Sequence, residues 1–124
     1  MTEQEQKAEL AIIDGRIAEL QAQIDLGSAI ERLHENEDFK AVFETAYFTA
    51  EADRLFNLLT NPSFFKRDQM QNTMDRLGAI RSVKEFFMVK LQEAQAAPDQ
   101  IDTENEYRSQ ITGTETSIDA EVVE

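Results

Sequence analysis

The chain has 124 residues, enough for one domain at most, and its 25 acidic against 12 basic residues give a formal charge of −13. Such a charge repels polyanions, so it argues against direct binding to a nucleic acid backbone and favours a basic partner. The chain has no cysteine, which excludes disulfides, thiolate metal sites and cysteine nucleophiles.

Helical periodicity dominates the chain up to about residue 96, and signals for β-strands are weak. The first ten residues are polar and acidic, unlike a signal peptide, and no apolar run approaches the ~18 residues that span a bilayer. We therefore predict an all-α protein with no membrane contact, located in the cytoplasm or in an assembly built there.

The first predicted helix runs from about residue 3 to residue 26. Its apolar residues follow the 3-4-3-4 spacing of the a and d positions in a coiled coil: Leu10, Ile13, Ile17, Leu20 and Ile24. The rest of the helix is polar, so the helix is stable only when this stripe packs on another helix. We predict that the stripe is an oligomer interface. The alternative is that it packs along a hairpin of the same chain.

A break is predicted next, because Gly27 falls at the following stripe position. Ser28 and Glu31 have the spacing of a capping box, which predicts a second, short helix that ends within residues 34–38. Either Asn36 or Asp38 then caps the third helix.

The third predicted helix ends before Pro62, because the residue before a proline is driven out of the α region. Its apolar stripe is broad and supplies the candidate core or partner-docking residues: Phe39, Phe43, Tyr47, Phe48, Phe56 and Leu59. A fourth helix, about residues 64–96, carries six of the twelve basic residues and contains Gly78, which we expect to allow close helix approach. These two helices predict an antiparallel hairpin.

Residues 99–124 contain eight acidic residues and one basic residue, with few large apolar residues. This composition predicts a solvated, disordered tail. The predicted architecture therefore has three parts. A coiled-coil-like helix occupies residues 1–27, a core of short helix and two-helix hairpin occupies residues 28–97, and a disordered acidic C-terminal tail occupies residues 98–124.

Candidate chemistry is sparse. Glu31 and His34 have the Glu-x-x-His spacing of di-iron carboxylate sites, but such a site needs two motifs and His34 is the only histidine. A surface or capping role for His34 is the simpler interpretation, and a symmetric oligomer that supplies two motifs is the alternative. No phosphate-binding loop, dinucleotide turn, HExxH motif or nucleophile elbow occurs. We therefore expect no enzyme activity, no cofactor and no bound metal.

The stretch around LHENEDFKAVFETAYF resembles small helical proteins encoded by tailed bacteriophages. The matching positions lie within residues 29–65: Leu33, Asn36, Asp38, Phe39, Lys40, Tyr47, Phe48, Glu51, Arg54, Leu55 and Pro62. Glu37 stands where the phage pattern has proline. The resemblance implies a phage-encoded protein from the virion-morphogenesis region, and it implies no catalytic residues.

We therefore expect a non-enzymatic structural or assembly protein that self-associates through its helices and docks partners in virion morphogenesis. Its expected partners are itself, as a homo-oligomer, and other phage structural proteins, with no nucleic acid or membrane. Its expected location is the host cytoplasm or the virion. The alternative is an acidic regulator or inhibitor that binds a basic host protein by imitating the charge of a nucleic acid.

Overall fold

A computed structural model describes residues 1–61 and 67–113, which are helical apart from short junctions. Helix α1 spans Glu3–Glu35 and helix α4 spans Arg67–Thr112. Between them, α2 (Glu37–Phe39), the π-helix π1 (Lys40–Glu51) and α3 (Ala52–Thr60) follow one another without a break. We call this continuous stretch, residues 37–60, the composite helix. The predicted all-α class is confirmed.

The chain forms two compact units. The first, here called the polar unit, contains Met1–Ser28 and Gln92–Glu124, of which the structure describes residues up to 113. The second, here called the aromatic unit, contains Ala29–Leu91. This division differs from the predicted parts 1–27, 28–97 and 98–124, because residues 92–113 group with the start of the chain.

Helix α1 is not broken at Gly27, so the prediction of a separate short helix after it was wrong. Gly27 is buried, and a Cβ atom there would collide with the Cβ atom of Ala94 and lie 3.8 Å from its Cα atom. The glycine therefore marks a close approach of two helices within the polar unit. The three- and four-residue spacing of the buried face continues beyond it through Ile30 and His34.

Helix α4 continues to Thr112, so residues 99–112 are helical and the prediction of disorder for them was wrong. The remainder of the predicted tail, residues 114–124, lies outside the described residues. Pro98 lies within α4, where a proline ordinarily costs ~3 kcal/mol. Residues on both sides of Pro98 pack on one narrow face, which offsets that cost: Ala97, Ile101, Glu104, Arg108 and Ile111.

A glycine ends α4. Gly113 adopts φ +74°, in the left-handed region, and its N–H donates to the carbonyl oxygen of Ser109 at 2.6 Å. Glycine adopts this conformation without the steric cost that other residues meet, and helices often end this way.

The composite helix begins and ends where the sequence predicts. Asn36 is its N-cap, and the Oδ1 atom accepts a hydrogen bond from the Phe39 N–H at 2.9 Å, which decides between the two predicted caps. Glu37 and Asp38 follow in the first turn, where the helix dipole favours acidic residues. At the other end Asn61 is extended (φ −77°, ψ 122°), as expected before Pro62.

The middle of the composite helix is a π-helix of 12 residues rather than the predicted α-helix. Bonding between residues five apart widens each turn, so side chains four and five residues apart share a face. The rings of Phe39, Phe43 and Phe48 have these spacings and lie in ring contact. Val42, Ala46 and Ala50, which would continue an apolar stripe at α-helical steps from Phe39, are exposed.

Within the aromatic unit the composite helix and α4 are antiparallel, as predicted. The Phe39 and Phe87 ring centroids lie 5.7 Å apart, and the Lys84 Nζ atom lies 5.6 Å from the Phe48 ring. Farther along the composite helix, Leu55 shares a groove with Ile80 of α4. Residue numbers therefore rise along one helix as they fall along the other. Residues 62–66, which join the two helices, lie outside the described residues.

Candidate interaction surfaces

The predicted interface stripe of α1 lies on the buried face of that helix in the polar unit. Ile13 is fully buried, and the other four members are half-buried: Leu10, Ile17, Leu20 and Ile24. Leu20 lines a groove together with Gln100 and Thr103 of α4. A single chain already covers much of the stripe, which supports packing within the chain. Its use between chains stays a prediction.

Polar side chains join α1 to the end of α4 within the polar unit. Gln6 Nε2 donates to the Ile111 carbonyl oxygen at 2.8 Å, and Arg16 Nη1 lies 3.2 Å from Glu104 Oε1. Arg108 pairs with Asp14, and the Tyr107 hydroxyl lies 3.5 Å from Glu9 Oε2. These partners on α4 lie among residues whose composition predicts a tail, so they were not among the predicted site residues. The recurrence of Ile101, Arg108 and Ile111 at helical steps was the available signal.

The described part of the polar unit is strongly acidic. Residues 1–28 and 92–113 hold eleven acidic and three basic residues, a net charge of −8. Two of the three basic residues, Arg16 and Arg108, form the ion pairs just described. By contrast, residues 29–91 hold ten acidic and nine basic residues, a net charge of −1. The acidic character of the chain is therefore concentrated on the helices of one unit.

A ring cluster fills the aromatic unit. Neighbouring ring centroids lie 4.8 to 6.4 Å apart among seven residues: His34, Phe39, Phe43, Tyr47, Phe48, Phe86 and Phe87. Phe39 is buried, whereas Phe43, Tyr47 and Phe48 are half-buried. Rings at such separations in tilted and edge-to-face arrangements attract one another beyond the effect of burial. These four predicted residues are thus, at least in part, core residues.

His34 belongs to this cluster. Its ring centroid lies 4.9 Å from that of Phe39 and 5.2 Å from that of Phe87. Its Nδ1 atom lies 2.8 Å from the Ile30 carbonyl oxygen, which can only accept, so Nδ1 carries the hydrogen. His34 is therefore a half-buried packing residue whose side chain also bonds a carbonyl oxygen near the end of α1. The described residues contain no group of three or more histidine and carboxylate side chains placed to hold a metal ion.

Two of the candidate core or partner-docking residues, Phe56 and Leu59, lie near the end of the composite helix. Leu55 is the buried residue there, at 1% exposure, while Phe56 is 59% exposed and Leu59 is half-buried. The π-helical segment that precedes them holds more residues per turn than an α-helix, which rotates the register of the residues that follow. The core role here falls to Leu55, and the exposed Phe56 is compatible with the docking role alone.

The residues of π1 that are fully exposed carry no charge. Its exposed residues are small or β-branched: Ala41, Val42, Thr45, Ala46, Thr49 and Ala50. An open groove runs along this side, lined by Val42, Phe43, Ala46 and Tyr47 and by one charged residue, Glu51. In a chain with 30% charged residues, such a face is suited to contact with another protein surface.

One ion pair in the aromatic unit shifts two pKa values. Arg54 donates from Nε to Glu51 Oε1 at 2.6 Å and from Nη2 to Oε2 at 2.8 Å. This two-point hydrogen bond lowers the pKa of the Glu51 carboxyl and raises the pKa of Arg54. Both groups therefore stay charged near neutral pH. The pair is therefore suited to a fixed surface ion pair and not to acid–base catalysis.

Comparison with protein-family models, with curated proteins and with solved structures gives no match for this chain. None of the helices in the described part of the chain has the length and apolar character needed to cross a membrane.

Proposed function

We propose that this chain is a non-enzymatic helical assembly protein that acts by self-association and by docking partner proteins. The observation that carries the proposal is the distribution of its apolar side chains. Among the described residues only six apolar ones are buried: Ile13, Ile30, Phe39, Leu55, Ile80 and Ala97.

Twelve other large apolar side chains among the described residues are exposed. Met1 precedes α1, three lie on α1 (Ile12, Leu26 and Leu33) and two on the composite helix (Val42 and Phe56). The other six lie on α4: Met70, Met74, Phe86, Met88, Val89 and Tyr107. Single exposed apolar residues are ordinary, but this number beside so small a core is typical of a surface that another chain covers. Burying them in an oligomer would supply the apolar contact that one chain lacks.

The dependence of thermal stability on protein concentration tests the proposal. An oligomer that forms only from folded chains raises the melting temperature as concentration rises, by mass action. We expect the melting temperature to increase by several degrees between ~1 and ~100 µM. A melting temperature that stays constant over this range, with a mass of 14.2 kDa by light scattering throughout, would contradict self-association.

We further propose that the assembly is the virion of a tailed bacteriophage. This part rests on the resemblance of residues 29–65 and on the helical character of the chain. It predicts that the gene lies beside portal, capsid or tail genes, and that mass spectrometry of purified virions or their precursors detects the protein. A gene placed among unrelated genes, with no protein detected in particles, would count against it.

The regulator hypothesis gains support from the helical course of residues 99–112. Four acidic residues expected in a tail lie on α4: Asp99, Asp102, Glu104 and Glu106. Carboxylates fixed on a folded surface are what charge imitation of a nucleic acid requires. Neutralising three of them (Asp99→Asn, Asp102→Asn, Glu106→Gln) while keeping Glu104, which pairs with Arg16, separates the two hypotheses. A regulator loses at least ~10-fold in affinity for a basic protein captured from host lysate, whereas an assembly protein still self-associates.

A further inference from the structure

Helix α4 presents one exposed face within the aromatic unit, here called the outer face of α4. Its members recur at four- and three-residue steps: Met74, Gly78, Arg81, Glu85 and Met88. With 3.6 residues per turn, these positions fall within an arc of about 80°. Met74 and Met88 are 53% and 56% exposed, and the side chains of Arg81 and Glu85 are 82% and 61% exposed. No described part of the chain covers this face.

Gly78 leaves a recess in the middle of the outer face. A Cβ atom built at Gly78 meets no other atom within 4 Å, so the chain itself makes no close approach there. This corrects the expectation that Gly78 serves close packing within the hairpin. Glycine weakens a helix interior relative to alanine, and nothing in the described structure compensates for that here. A recess of this kind beside exposed methionines admits a long, flexible side chain from another surface.

The outer face is complementary to itself when two copies pack antiparallel. A two-fold axis that places Arg81 of each copy opposite Glu85 of the other also places Met88 opposite Gly78, twice each. Opposite charges and a bulky residue facing a recess thus occur in the same register. A two-fold interface uses one patch on both subunits, and a patch must be self-complementary in this way to form one.

Alternative registers are unfavourable. Sliding one copy by one helical turn brings Arg81 opposite Arg81 in one direction and Glu85 opposite Glu85 in the other. Parallel packing brings each residue beside its own copy, so that like charges again meet. Like charges across an interface suppress wrong pairings, whereas opposite charges fix orientation and register.

We infer that a second copy of this chain docks antiparallel on the outer face of α4, with Met88 of each copy over Gly78 of the other. Arg81 and Glu85, which lie 3.3 Å apart within one helix, exchange partners between the copies. The inference rests on the proposed self-association. It assigns that association to a face other than the predicted Leu10–Ile24 stripe, which the chain largely covers itself.

Charge reversal tests the pairing. Arg81→Glu places two carboxylates opposite each other at both ends of the interface, and Glu85→Arg does the same with two guanidinium groups. Each single change is expected to weaken the oligomer at least ~10-fold, measured by sedimentation equilibrium at low salt. The double variant R81E/E85R restores opposite charges and is expected to return to within about threefold of the original affinity. Circular dichroism checks that all three variants keep their helicity.

Cysteine pairs test the register directly, because the natural chain has no cysteine. Residues 78 and 88 are ten apart in one helix, about 15 Å, which is too far for a disulfide within a chain. The variant G78C/M88C is therefore expected to form covalent dimers on mild oxidation. The matched control M74C/M88C carries the same number of thiols one helical turn out of register and is expected to form few.

The outcomes separate this inference from the proposed function. An oligomer that is unchanged in R81E and in E85R, and that G78C/M88C links no better than the control, overturns the outer face of α4 as the interface. Self-association itself then stands and uses another surface. A natural chain that stays monomeric at every concentration overturns both proposals.

Discussion

The two units of this protein pair antiparallel helices by different means. In the polar unit a narrow line of aliphatic and small residues suffices, with Gly27 against Ala94 and with Ile13 fully buried. In the aromatic unit, rings from α1, the composite helix and α4 contact one another around Phe87. The polar unit also carries most of the negative charge, whereas the aromatic unit is nearly neutral.

This difference predicts opposite sensitivities to mutation. Where helices approach closely over small residues, added volume has no room and forces the backbone to move. Where large side chains interlock, removed volume leaves a cavity that the surroundings fill only in part. The close approach at Gly27 should therefore fail on enlargement, and the core of the aromatic unit should fail on truncation. In the polar unit the fully buried Ile13 is the position that truncation also affects.

The largest expected effect is truncation in the aromatic unit. Leu55 is 1% exposed, so Leu55→Ala should lower the free energy of unfolding by about 2–5 kcal/mol, measured by urea denaturation. The adjacent Phe56 is 59% exposed and serves as the control, since Phe56→Ala removes more atoms from a site that is mostly solvated. Its expected cost is below about 1 kcal/mol at concentrations where the chain is monomeric. If Phe56→Ala is as destabilising as Leu55→Ala, then Phe56 is not the solvent-facing residue of α3 and the assignment of Leu55 to the core is contradicted.

Enlargement in the polar unit comes next. Gly27→Leu should lower the free energy of unfolding by about 1–3 kcal/mol, because even a Cβ atom there collides with Ala94. Gly15 lies on the same helix with no atom within 4 Å of a Cβ, so Gly15→Leu should raise stability by up to about 1 kcal/mol through helix propensity. Equal gains from the two substitutions would show that α1 and α4 do not approach closely at Gly27.

Removal of the N-cap gives a smaller effect at the start of the composite helix. Asn36→Ala leaves the Phe39 N–H without its side-chain acceptor and should cost about 1 kcal/mol in thermal unfolding. Asn36→Asp keeps an acceptor oxygen at the same place and should retain most of the stability. If alanine and aspartate behave alike at Asn36, another residue caps this helix.

The smallest expected effect concerns pH and the exposed pair of Glu51 and Arg54. Since the hydrogen bond from Arg54 lowers the pKa of Glu51, the stabilisation is present above the ordinary carboxyl pKa and is lost as pH falls through the lowered value. In an NMR titration of the Glu51 carboxyl, Arg54→Gln should raise the midpoint. Arg76→Gln should raise it less, because Arg76 acts on Glu51 through charge alone. Equal shifts in the two variants would contradict the two-point hydrogen bond.

The sequence predicts the aromatic unit better than the polar unit, for physical reasons. Asn36, the residue before Pro62 and the spaced aromatic rings are strong local signals, and the cap, the helix end and the antiparallel hairpin follow from them. The π-helix does not follow from local signals, because its bonding pattern depends on which rings meet across the unit.

In the polar unit the signals for a break were ambiguous. Gly27 weakens an isolated helix, but here it permits the contact with Ala94, and only the position of α4 reveals this. Likewise residues 99–112 have the acidic composition that is typical of a disordered tail. The apolar face that packs them contains few residues, among them Ile101 and Ile111, so it hardly changes that composition. A helix held by its partner is hard to recognise from its own residues.

The central claim is that other copies of this chain cover its exposed apolar faces. Sedimentation equilibrium of the full chain between ~1 and ~100 µM tests it most directly, because mass is measured without labels or variants. We predict a weight-average mass that rises with concentration to at least twice the chain mass of 14.2 kDa. A mass that remains 14.2 kDa throughout would contradict the claim.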